Sequence, residues 1–121
     1  MEKAKSFEDL WIWQQARTLV SEIYADFGQG TPGNRDYGFT DQIQKAGISI
    51  MNNIAEGFER TSDTDFARFL DIAKGSCAEV RSMYWPAEDL GYVAPDMSKQ
   101  RRDKAKQIAA GIASLARHLR S

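Results

Sequence analysis

Four runs of apolar residues, each stepping by threes and fours, constrain this chain more than any other feature. Such steps return side chains to one face of an α-helix, whereas a half-buried strand needs a step of two. In the first run Leu10, Trp13, Ala16, Leu19, Val20, Ile23 and Phe27 share a face. Ser6 with Asp9 three residues on reads as a capping box ahead of it, and Gly28, Gly30 and Pro32 stop it. The second run holds Ile43, Gly47, Ile50, Ile54 and Phe58, with Thr40 as the expected cap. The third holds Phe66, Phe69, Leu70, Ala73, Cys77, Val80 and Tyr84 behind Ser62 and Asp65. Pro86 is expected to bend that helix or end it early, and Gly91 to stop it. In the fourth, Ala105, Ile108, Ala109, Ile112, Leu115, Ala116 and Leu119 form a narrow stripe after Pro95. Helices are thus expected at about 7–28, 40–58, 63–90 and 97–119. The later connections are short, which sets consecutive helices antiparallel. The expected fold class is all-α, an up-down-up-down four-helix bundle with left-handed packing.

A length of 121 residues suits a single domain, here spanning 1–121, and suffices to bury a core without staples. The single cysteine, Cys77, rules out a disulfide within the chain and fits a reducing compartment. No apolar run is long enough to span a bilayer, and the charged start is not followed by a signal core. The expectation is a cytoplasmic protein of a bacterium-like cell that does not engage a membrane.

Charge is segregated along the chain. Residues 97–121 carry seven Lys/Arg against one acid, a net +6, while residues 1–96 carry nine basic and sixteen acidic residues, a net −7. A basic terminal helix on an acidic body can pair with its own copies or attract a polyanion. Arg101, Arg102, Lys104, Lys106, Arg117 and Arg120 are the candidate phosphate-facing cations.

Other chemistry finds little to stand on. One His (His118) and one Cys cannot supply zinc spacing, and the Glu-x-x-His pairs of a bundle metal site are missing. No cofactor motif is present, and the glycines between 28 and 33 do not join a strand to a helix as a phosphate loop does. Cys77 reads as a small buried hydrophobe. Asn53, Glu56 and Arg60 stand among apolar neighbours and are expected to form a structural polar network, with Glu56 and Arg60 in pairing register. Trp11, Ile12 and Tyr24 lie off the first stripe, and Trp11 and Tyr24 with Tyr37 are candidates for a subunit interface, where aromatic side chains are favoured.

The run from Tyr37-Gly38-Phe39-Thr40 through Gln42-Ile43, Ala46 and Ser49-Ile50 to Asn53-Ile54-Ala55-Glu56-Gly57 resembles the 23S ribosomal-RNA intervening-sequence proteins, a bacterial four-helix-bundle family. Phe7-Glu8-Asp9-Leu10 with Trp13-Gln14, and Phe69-Leu70 with Ile72-Ala73, Gly75-Ser76 and Leu90-Gly91-Tyr92, extend the likeness over nearly the whole chain. The resemblance implies a homopentamer around a central axis. It also brings in related accessory proteins of diversity-generating retroelements, which are basic, bind nucleic acid and partner a reverse transcriptase. It supplies no catalytic residue. Gln44 and Lys45 stand where the family carries paired arginines, and Met51 where it carries a proline. Three functions follow as expectations. The first is a non-enzymatic homo-oligomeric structural or interaction protein. The second is an accessory that binds RNA or DNA. The third is a small metal-free helical enzyme using Arg60 or Arg68 to hold an anion.

Overall fold

Leu10 adopts an extended conformation and divides the first helical run in two. Phe7–Asp9 forms one 3-10 turn, in which the Asp9 carboxylate accepts from the backbone N–H groups of Lys5 and Ser6 at 3.0 and 3.2 Å. The computed structural model describes residues 3–121. It then places α1 at Trp11–Phe27, α2 at Tyr37–Phe58, α3 at Asp63–Asp89 and α4 at Pro95–Arg120, with no strand among the described residues. No helix there is long and apolar enough to cross a membrane.

Each helix packs on the next in sequence, and α4 closes back on α1. The backbones of the α1–α3 and α2–α4 diagonals stay further apart, although the Phe27 and Tyr84 rings meet across the first at a centroid distance of 5.7 Å. The core runs through all four helices: Ile12, Leu19, Ile23 and Phe27 of α1, Ile43, Ile50 and Ile54 of α2, Leu70, Val80 and Tyr84 of α3, and Ile108 and Ile112 of α4. Ile12, which lies off the sequence stripe, is core, while Trp13 is only half-buried. The extended residue at Leu10 resets the start of the helix, so the difference is confined to the first turn; Ala16, Leu19, Ile23 and Phe27 are buried as the stripe requires.

The start of α2 differs from expectation, while α3 runs past its proline to the expected stop. Asp36, not Thr40, caps α2: its carboxylate accepts from the Phe39 N–H at 3.3 Å. Thr40 sits inside the helix, buried, and its hydroxyl donates to the Gly33 carbonyl at 3.0 Å. Phe39 lies against the rings of Phe27 and Tyr92, and that packing carries the helix back over Tyr37–Phe39. Pro86 lies within α3, which runs on to Asp89. The proline removes the donor for the Ser82 carbonyl, but both residues are exposed, so water can take that acceptor. Gly91, at φ +75°, ends the helix in a Schellman turn: Tyr92 N–H donates to the Ala87 carbonyl at 2.8 Å and Gly91 N–H to Glu88 at 3.0 Å. Ser62 caps α3 as expected, accepting from the Asp65 N–H at 3.1 Å. Pro95 opens α4 at its first position.

Small residues bring the helices close. A Cβ built on Gly57 would lie 2.8 Å from the Phe69 Cβ and 3.3 Å from the Phe66 carbonyl oxygen, so α3 itself leaves no room. Gly75, on the exposed side of α3, meets nothing within 4 Å. Gly→Ala in a helix ordinarily stabilises by up to about 1 kcal/mol. Gly75→Ala should follow that rule. Gly57→Ala should reverse it and destabilise by about 1–3 kcal/mol, because its obstruction is fixed to the α3 backbone. Urea denaturation of the two variants tests the close approach; equal and favourable shifts would refute it.

Candidate interaction surfaces

Arg101 is only 8 % exposed, although it was expected on an outward cationic surface. It projects from α4 into the α1–α4 seam. Its Nε and Nη2 donate to the two Asp26 carboxylate oxygens at 2.8 and 3.1 Å, and Nη1 donates to Glu22 at 2.9 Å. Tyr84 of α3 donates its hydroxyl to Asp26 at 2.7 Å. Three helices therefore meet on one carboxylate. Burial pulls the Arg101 pKa down, but Asp26 and Glu22 more than offset it, so the group stays charged. Burial, helped by the Asp26 charge, pushes the Tyr84 phenol far above its ordinary value and keeps it a donor. Ser98 extends the network: it donates to the Tyr84 carbonyl at 3.1 Å and accepts from Arg102 Nε at the same distance.

The other candidate cations divide. Lys104 pairs with Glu22 at 2.7 Å. Arg102 stacks 3.6 Å from the Trp85 ring centroid and lies 3.6 Å from the buried Glu88 Oε1, which has no hydrogen-bond partner. Arg120 meets Asp71 through both terminal nitrogens and holds that carboxyl below its usual range. Lys106 and Arg117 are exposed, and among the described residues they make no ion pair. Lys74 and Arg81 of α3 are also exposed and line the same α3–α4 groove, a pair that the single-helix charge count missed.

The expected Asn53–Glu56–Arg60 network does not form. Asn53 donates its amide to the Ser49 carbonyl and hydroxyl at 2.8 and 3.0 Å, and the Ser49 hydroxyl lies 2.9 Å from that of Ser76. The partner across the α2–α3 seam is therefore a serine. Glu56 and Arg60 are exposed at a shallow dent beside Phe7. The Arg60 guanidinium lies 4.6 Å from the Phe69 ring centroid and that of Arg68 5.0 Å, so aromatic stacking occupies both arginines.

Trp11, Tyr24 and Tyr37 are 51, 45 and 75 % exposed. Trp11 lies on the α4 side of α1, beside Gly111. Tyr24 follows Val20 by one turn, and Val20 faces Gly47 of α2, so Tyr24 flanks the α1–α2 seam, while Tyr37 is the first residue of α2. Ile72, Trp85 and Leu90 of the α3 run are large, exposed hydrophobics as well; the sequence stripes did not mark them. His118 is exposed. No group of three His, Cys, Asp or Glu side chains among the described residues is placed to hold a metal ion.

These features define a class: a small all-helical protein whose strongest polar cluster ties helices together and whose unpaired groups lie on open faces. The chain belongs to the 23S rRNA-intervening sequence protein family, whose family model matches residues 8–114. A crystal structure of a protein of unknown function from the S23 ribosomal protein family of Bacteroides thetaiotaomicron shares the fold, with a TM-score of 0.78 at 18 % identity. That match covers 87 % of this chain and 97 % of the other. No curated protein matches the sequence.

Two measurements check this account. Arg101→Met leaves Asp26 with only the Tyr84 hydroxyl and Glu22 with only Lys104 in a partly buried seam, and should cost about 3 kcal/mol in chemical denaturation; a loss typical of a surface pair would sink the network. Cys77 is buried, and burial pushes its thiol up to about 12, so it stays protonated through neutral pH. Thiol reagents should modify it in denaturant and leave the native protein unlabelled at pH 8; rapid native labelling would contradict its placement.

Proposed function

We propose that this chain is a non-enzymatic, homo-oligomeric scaffold, an up-down-up-down bundle with left-handed packing that closes into a ring of five in the cytoplasm. One observation carries the reading: large side chains stand in solvent on both flanks of α1, Trp11 on one and Tyr24 on the other, with Tyr37 exposed at the start of α2. Aromatic residues ringed by polar ones are the usual anchors of protein interfaces. A cyclic assembly with head-to-tail contacts needs two different patches on each subunit, and the two flanks of α1 supply a pair. The antiparallel arrangement draws support from the cross-helix contacts, which pair Gly57 with Phe66, Ser49 with Ser76 and Gln42 with Glu79 between α2 and α3, and Ser98 with Tyr84 and Arg120 with Asp71 between α3 and α4. The number five is what the family resemblance implies.

The nucleic-acid reading comes second. Of the six cations that suggested it, Arg101, Lys104 and Arg120 are committed to carboxylates and Arg102 to Trp85, leaving Lys106 and Arg117 with their α3 neighbours. Phosphate binding depends on cations free to displace counterions, so few remain to drive it.

Light scattering of the purified protein should give the mass of five copies. Trp11→Ala, Tyr24→Ala and Tyr37→Ala should each shift the assembly toward monomer and leave the helical circular dichroism largely intact. An unchanged mass in all three, or a monomeric parent protein, would end this reading.

A further inference from the structure

The seam between α3 and α4, away from the aromatic flanks of α1, carries a groove of a different character. Two adjoining hollows share Lys74. Ala78 of α3 with Ala105, Ala109 and Ala113 of α4 form a floor of methyl groups. Lys74 and Arg81 line one rim, and Lys106 and Arg117 the other. All four cations are exposed, and the acid in the lining, Asp71, is already bridged by Arg120. The remaining charge along the groove is uniformly positive.

We infer that this groove binds an amphipathic helix from a partner protein, with small or aliphatic residues facing the alanine floor and acidic residues along both flanks. Short side chains let a third helix backbone approach, because packing distance is set by the residues at the contact. The paired rims then meet carboxylates on either side of the docked helix, a helix-in-groove mode with electrostatic selection. A single nucleic-acid strand fits less well. Its bases need aromatic platforms, and no aromatic residue lines either hollow. This surface is distinct from the proposed ring contact and stands or falls without it.

The test uses the full chain and three fluorescein-labelled probes at low salt: a synthetic helical peptide with leucine and alanine on one face and glutamate along both flanks, the same peptide with lysine flanks, and a thymidine oligonucleotide. Fluorescence anisotropy should show the glutamate peptide binding, and the lysine peptide and the oligonucleotide binding at least roughly tenfold more weakly. Combined Lys74→Glu, Arg81→Glu and Lys106→Glu substitutions should weaken the glutamate peptide by roughly tenfold or more. Ala78→Trp, at an exposed position, should block the floor without changing charge. Arg35→Glu, in the connection before α2, should change nothing. Three results would each overturn the inference: no binding of the glutamate peptide, equal or tighter binding of either other probe, or indifference of that peptide to both the charge reversal and Ala78→Trp.

Discussion

A guanidinium taken largely out of water must find carboxylates, and that requirement shapes one whole side of this molecule. Arg101 is held by Asp26 and Glu22 across the α1–α4 seam, while Tyr84 brings α3 onto the same Asp26 oxygen. Greasy contacts tolerate sliding; a forked donor on a fixed carboxylate does not. The arrangement sets the register of α1 against α4, and across the α1–α3 diagonal, where the backbones stay apart, Tyr84 supplies a polar link to Asp26 and packs its ring on Phe27. Leaving any one member unpartnered would cost more than the cluster contributes when complete.

The same network explains the lopsided charge of the sequence. The basic excess of the last helix looks like bait for a polyanion when counted along the chain. In three dimensions Glu22, Asp26 and Asp71 of the acidic body neutralise Arg101, Lys104 and Arg120. Much of the segregation is one half of the molecule serving as counter-ion to the other. Of the α4 cations, Lys106 and Arg117 lie on the α3 side with no ion pair among the described residues, and Lys74 and Arg81 of α3 join them there.

The helices themselves were legible because burial writes a period into the sequence, and the stops at Gly28 and Gly91 and the start at Ser62 follow from local backbone chemistry. The cap at Asp36 was hidden because the extra turn over Tyr37–Phe39 is held by rings of Phe27 and Tyr92, remote in sequence. Membership of the polar clusters was hidden for the same reason. Asn53 sits where a partner was expected, yet its serine neighbours are one turn back and on the next helix. Arg101 and Asp26 are too far apart along the chain for any spacing rule to join them. The exposure of Trp11, Tyr24 and Tyr37 could be anticipated, since a helix has only one inward face.

The two ends of the molecule are not equally fastened. At one end Tyr92 leaves the Schellman turn, donates to Asp36 at 2.7 Å and covers Gly33, so the α3–α4 corner clamps the α1–α2 connection. Thr31 and Asn34 bind that connection further to Gly28 and Phe27. At the other end the α2–α3 junction is exposed from Glu59 through Thr64. A fused domain, an affinity handle or a protease's bite would be accommodated at this junction, whereas the clamped corner would resist all three.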